Sequence, residues 1–131
     1  MTPTLKLVVY MAILTWVLIM AASVIKSRAW SLAGMQYAFG NRDAAIETTA
    51  FAGRAERTAD NTLVNFLLFA AIALVAHAVD PANARVALGA EVFFWARIVY
   101  IPAYYLGLRY VRSGIWGVGI FGLAMMISAL L

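Results

Sequence analysis

Four apolar stretches, at about 7–25, 61–79, 84–108 and 113–131, constrain this chain more than any other feature. A bilayer's hydrocarbon core is ~30 Å thick and an α-helix rises about 1.5 Å per residue, so roughly 20 apolar residues cross it. The first stretch is bounded by Lys6 and by Lys26 and Arg28. It exceeds the ~7–15 residue apolar core of a secretory signal, which predicts a retained helix. The second closes at Asp80-Pro81. Proline stops an arriving helix and suits the first turn of the next, so a tight αα-hairpin is predicted there. The third holds Glu91, Arg97 and Pro102, the last a predicted kink. The fourth carries Gly114, Gly117, Gly119 and Gly122. Small residues at that density let helix backbones approach where lipid removes the hydrophobic drive to associate.

Composition agrees. Of 131 residues, 65% are hydrophobic and only 12% charged, whereas soluble domains run near half apolar and about a quarter charged. So short a chain cannot hide that surplus in a water-soluble core. The predicted fold is therefore all-α: an integral membrane four-helix bundle in a single transmembrane domain, with lipid as its solvent. Cysteine is absent, which excludes disulfides, thiolate metal sites and a protein-borne thiol nucleophile. The net charge of +4 does not point to nucleic acid, because the ten Lys and Arg residues sit at span ends and form no single block.

Only the connection between the first two spans is long. It contains Gly34, Gly40 and Gly53, and the second helix is expected to begin near Asn41 or Asp43 and enter the bilayer through Arg54 and Arg57. This connection carries Lys26, Arg28, Arg42, Arg54 and Arg57, and the third carries Arg109 and Arg112. The second holds Arg85 and the N-terminus Lys6. By the positive-inside rule the two basic connections are cytoplasmic and both termini lie on the other side. Short loops and the lack of a presequence point to a bacterial inner membrane.

Ionisable groups at membrane depth are costly and turn into the bundle by default. Arg57, Asn61 and Asn65 recur at i, i+4 and i+8, and Arg97, Tyr100 and Tyr104 at i, i+3 and i+7, so each set shares a helix face. Arg109, Arg112, Ser113 and Trp116 follow at the cytoplasmic end. Polar side chains of this kind also tie helices together. The arginines ask for more, since Asp60 and Glu91 are the only acids near the spans to neutralise Arg57, Arg97, Arg109 and Arg112. Guanidinium groups stay protonated and bind carboxylates bidentately, so a bound anion is expected. His77 is a lone imidazole, and one imidazole makes neither a metal site nor a triad.

Two segments carry a family resemblance. Arg54-Ala55-Glu56-Arg57-Thr58-Ala59-Asp60-Asn61, leading into Leu67-Leu68-Phe69, resembles the second-helix motif of the MAPEG family, the membrane-associated proteins in eicosanoid and glutathione metabolism. That motif's core is Arg, three residues, Asn, two residues, Glu. Ala96-Arg97-Ile98-Val99-Tyr100-Ile101-Pro102-Ala103-Tyr104, followed by Leu108-Arg109-Tyr110-Val111-Arg112-Ser113, is similar to the family's third helix and the turn after it. The likeness extends over nearly the whole chain in span number, length and loop charge.

The resemblance implies a homotrimer with glutathione bound between neighbouring subunits at the cytoplasmic face, and no metal. It implies that Arg54, Arg57, Asn61, Arg97, Tyr100 and Ser113 bind glutathione, that Arg112 stabilises its thiolate, and that Tyr104 donates to a leaving group or oxyanion. The implied activity is that of a transferase or peroxidase acting on apolar electrophiles that arrive through lipid. Val64 stands where the motif has Glu, a residue that pairs with the ligand's ammonium group, and Asp60 is one turn away. The competing expectation is a non-catalytic membrane scaffold that has lost the ligand. A transporter fits less well, because no inverted repeat or midplane pair of broken helices is evident.

Overall fold

The structure, a computed structural model, describes all 131 residues as helices and connections, without strands. In chain order the helices are α1 (Pro3–Ser27), α2 (Leu32–Phe39), α3 (Ala50–Val79), α4 (Ala84–Tyr105) and α5 (Arg109–Ser128). All except α2 are long and apolar enough to cross a membrane, and the chain is an all-helical membrane protein. Thr2 caps α1 by accepting the Leu5 N–H at 3.3 Å, and Pro3 occupies the first turn, where its missing N–H costs nothing. At the far end Arg28 turns left-handed at φ 54° and returns its N–H to the Val24 carbonyl.

The first connection departs from expectation. The second long helix does not begin near Asn41 or Asp43. Instead Ser31 caps the short helix α2 through the Gly34 N–H at 3.0 Å. Arg42, itself left-handed at φ 59°, then folds its guanidinium back onto the Ala38 carbonyl, ending α2. The next cap to succeed is Thr49, whose hydroxyl accepts the Ala52 N–H at 3.1 Å and starts α3. With 30 residues, α3 is about 45 Å long. That exceeds the thickness of the bilayer core, and Arg54 and Arg57 lie in its first turns.

The α3–α4 hairpin forms at Asp80-Pro81-Ala82-Asn83. Asn83 accepts the Arg85 and Val86 N–H groups, and its amide donates to the Asp80 carboxylate. Between α4 and α5 the expected boundaries shift. The third span stops at Tyr105 and not at 108, and the fourth begins at Arg109 and not at 113. Gly107, at φ 75°, supplies the reversal. Arg109, Arg112 and Ser113 consequently belong to the first turns of α5.

Packing is most extensive within the pairs α1–α3 and α4–α5. The pairs are joined by the stacked rings of Phe69 and Phe93, 4.7 Å between centroids, with Met11 and Met126 buried in the same cluster. The glycines of α5 divide into two sets. Gly119 and Gly122 are buried against α4, and Gly122 meets Gly89, a partner the sequence did not single out. A Cβ on Gly114 or Gly117 would meet no atom within 4 Å, so these two make no helix contact.

Candidate functional site

The register of α3 and α4 and the early start of α5 bring polar groups from three helices to one open groove of about 740 Å³. From α3 come Arg57, Asp60, Asn61 and Val64, one helical face spaced at three and four residues. From α4 come Tyr100 and Tyr104, and from α5 come Arg112, Ser113 and Trp116.

Tyr104 is central to the groove. Its hydroxyl oxygen accepts from Arg57 Nε at 3.3 Å, while the Arg112 guanidinium lies 4.4 Å from its ring centroid. A phenol that accepts from Arg57 keeps its own proton to donate into the groove. Tyr100 meets Tyr104 edge to face at 5.6 Å, and the Arg97 guanidinium covers the other ring at 4.2 Å. From the core outward to the groove mouth, the tyrosine pair is thus bracketed by Arg97 on the inside and by Arg57 and Arg112 on the outside.

Arg97 does not line the groove. It is only 2% exposed and lies behind Asn61, donating one Nη to Asn61 Oδ1 and to Thr62 Oγ1, both at 2.9 Å. Its Nε is buried without a partner. Thr62 is a further residue at this site that the sequence reading missed. Its signal was its place one turn beyond Thr58 on a wholly buried face. Arg97→Lys should lower stability by about 1–3 kcal/mol, because an ammonium loses the planar stack on Tyr100 and the rigid fork that holds one Nη between Asn61 and Thr62. Thermal unfolding in detergent checks this, and an unchanged midpoint would refute the structural role of the guanidinium.

Three other expected residues lie elsewhere. Arg54 donates Nε to the Tyr105 carbonyl at 2.9 Å, securing the α4–α5 turn from outside the groove. Asn65 is buried and returns its amide to the Asn61 carbonyl, because eight residues on a 3.6-residue helix carry it off the Arg57 face. Glu91 is exposed on the α4–α5 face and pairs with no cation.

Charge in the groove is unbalanced. The sole ion pair in the chain joins Lys26 to Glu56 at 2.7 Å, outside the groove lining on an adjacent face of α3. Neither Arg57 nor Arg112 has a carboxylate within ion-pair distance, and Asp60 is the only acid in the lining. The first turn of α5 adds to the imbalance, having no acidic residue and no side-chain cap. Its free N–H groups carry partial positive charge beside two arginines, an arrangement that an anion relieves.

The family model of MAPEG matches residues 5–131, nearly the whole chain. The chain belongs to the MAPEG family. No curated protein and no solved structure matches it. Membership places it among the membrane-associated proteins of eicosanoid and glutathione metabolism. No group of three or more metal-ligating side chains is present.

Against glutathione, the MAPEG groove's residues make a mixed fit. Two guanidiniums, Asn61, two phenols and Ser113 suit the tripeptide's carboxylates and thiolate. For its ammonium group the lining offers Asp60 alone, because Val64 is apolar and faces the groove.

Proposed function

We propose that this protein is a membrane-bound glutathione-dependent transferase or peroxidase. The observation that carries the reading is the groove in which Arg57 and Arg112 flank Tyr104 with no carboxylate paired to either. Arg57, Asn61 and Tyr100 hold the tripeptide by its carboxylates and amides. Arg97 supports them from behind. Arg112 stabilises the thiolate, lowering the free energy of the nucleophile's ionised form. Tyr104 donates its free O–H to the leaving group, or to the oxygen that develops charge as the sulfur attacks. In conjugation the new bond is carbon–sulfur, and the leaving group departs with its electron pair. The second substrate is an apolar electrophile that enters sideways from the bilayer, past Val64 and Trp116.

A homotrimer completes this site. The groove is open on one side, and a second polar cavity of about 370 Å³ lies on the adjacent flank of α3, lined by Ser23, Lys26, Glu56 and the shared Asp60 among others. A neighbouring subunit presenting that flank would add an ammonium and carboxylates to a site short of acids. The orientation follows from loop charge, with the groove mouth cytoplasmic, both termini opposite, and a bacterial inner membrane as host.

Val64 favours a second reading, a scaffold that no longer binds glutathione, because a buried ammonium without a partner is costly. Val64→Glu separates the two. If Asp60 already serves the ammonium, the variant gains little affinity. If the site is merely missing its acid, the variant binds about tenfold tighter, a gain of about 1.4 kcal/mol from one charge-assisted hydrogen bond. Titration calorimetry with glutathione in detergent reads the difference. A variant and parent that both give no heat would favour the scaffold.

A further inference from the structure

The short helix α2 has no part in the groove, yet it presents an apolar stripe to the outside. Leu32, Met35 and Phe39 recur at three and four residues, so they share one face, and they are 76%, 45% and 86% exposed. Trp30, immediately before the helix, is exposed as well. The opposite face is fixed to α1. Gly34 is buried on the last turn of that helix, where a Cβ would collide with the Ser27 and Arg28 carbonyl oxygens. Tyr37, also turned inward, donates its hydroxyl to the Arg42 carbonyl at 3.5 Å.

We propose that α2 lies in the plane of the membrane surface with its apolar stripe sunk among phospholipid acyl chains. Its depth is set by the span to which it is bolted. Because Gly34 touches the final residue of α1, the stripe stands at the level where that helix leaves the hydrocarbon. The lipid contact is then continuous with the lipid-facing side of α1, where Val17, Met20 and Val24 are exposed. Arg28 and Arg42 stand at the two ends of α2, at the headgroup height that favours cations near anionic lipid. Trp30 has the amphipathic ring characteristic of that boundary. An apolar face with basic flanks on a helix too short to cross the bilayer suits an interfacial anchor.

The absence of cysteine allows the test in the otherwise unaltered chain. Single variants Leu32→Cys, Met35→Cys and Phe39→Cys are spin-labelled in phosphatidylcholine–phosphatidylglycerol vesicles. Val17→Cys on the exposed face of α1 is the lipid reference, and Asp43→Cys in the following loop is the aqueous reference. Collision rates with oxygen, which concentrates in lipid, and with a water-soluble nickel chelate give the depth of each label. Labels at 32, 35 and 39 should meet oxygen several-fold more often than the chelate, following position 17 and opposing position 43. Labels open to the chelate would place the stripe in water and overturn the proposal. Labels shielded from both reagents would place it under protein, a second copy of the chain included, and overturn it equally.

Discussion

Arg112→Ala should lower the rate of glutathione conjugation by about 10²–10³-fold, the range found when one preorganised donor to a developing anion is removed. The fold should survive, because Arg112 is half-buried and its contact is the stack on the Tyr104 ring, an interaction worth roughly 0.5–1 kcal/mol at such a site. Arg112→Lys should recover part of the rate. It restores a point charge without the planar fork or the ring contact. Turnover by the purified protein, with thermal unfolding as control, decides the matter. An alanine variant as active as its parent would remove the thiolate role from Arg112 and leave the groove as a binding surface only.

The second large effect concerns the fold. Gly122→Val should destabilise the protein by about 1–3 kcal/mol, the usual cost of overpacking a filled interior. A Cβ on Gly122 would stand 2.7 Å from the Gly89 carbonyl oxygen and 2.8 Å from the Phe93 nitrogen. Both are helix backbone, so neither can rotate away as a flexible side chain would. Gly117→Ala is the contrast. It meets nothing within 4 Å and should be neutral or stabilising, since alanine favours helix by about 1 kcal/mol over glycine. Equal unfolding midpoints for the two variants in detergent would contradict the close α4–α5 approach.

Most of the architecture was legible because lipid limits the choices. Four bilayer-length apolar runs, a Pro81 hairpin and the basic start of α3 leave little freedom. What escaped depends on atoms that a linear pattern does not display. Asn41 and Asp43 have the chemistry of helix caps, but Arg42 turned left-handed between them and Thr49 captured the start. LAGMQYAF (32–39), carrying Gly34, looked like loop until the fit of that glycine against α1 explained the helix. Gly107 moved the last turn by three or four residues and so placed Arg112 on a helix.

At the groove, helical spacing was enough to group Arg57 with Asn61 and Tyr100 with Tyr104. Spacing cannot say which way a long side chain bends. Arg97 shares a face with Tyr100, yet its guanidinium turns inward to Thr62, and Arg54 lies three residues before Arg57 but reaches the Tyr105 carbonyl. Gly89 was silent because one glycine in a helix has no meaning until its partner is known.

The reading rests on a cationic groove that takes up glutathione. Titration calorimetry of the wild-type protein in detergent is its most direct measurement. The expected result is saturable heat with millimolar glutathione that disappears in the Arg57→Ala/Arg112→Ala double variant while its unfolding midpoint is retained. No heat from the wild type, or the same heat from the double variant, would contradict it.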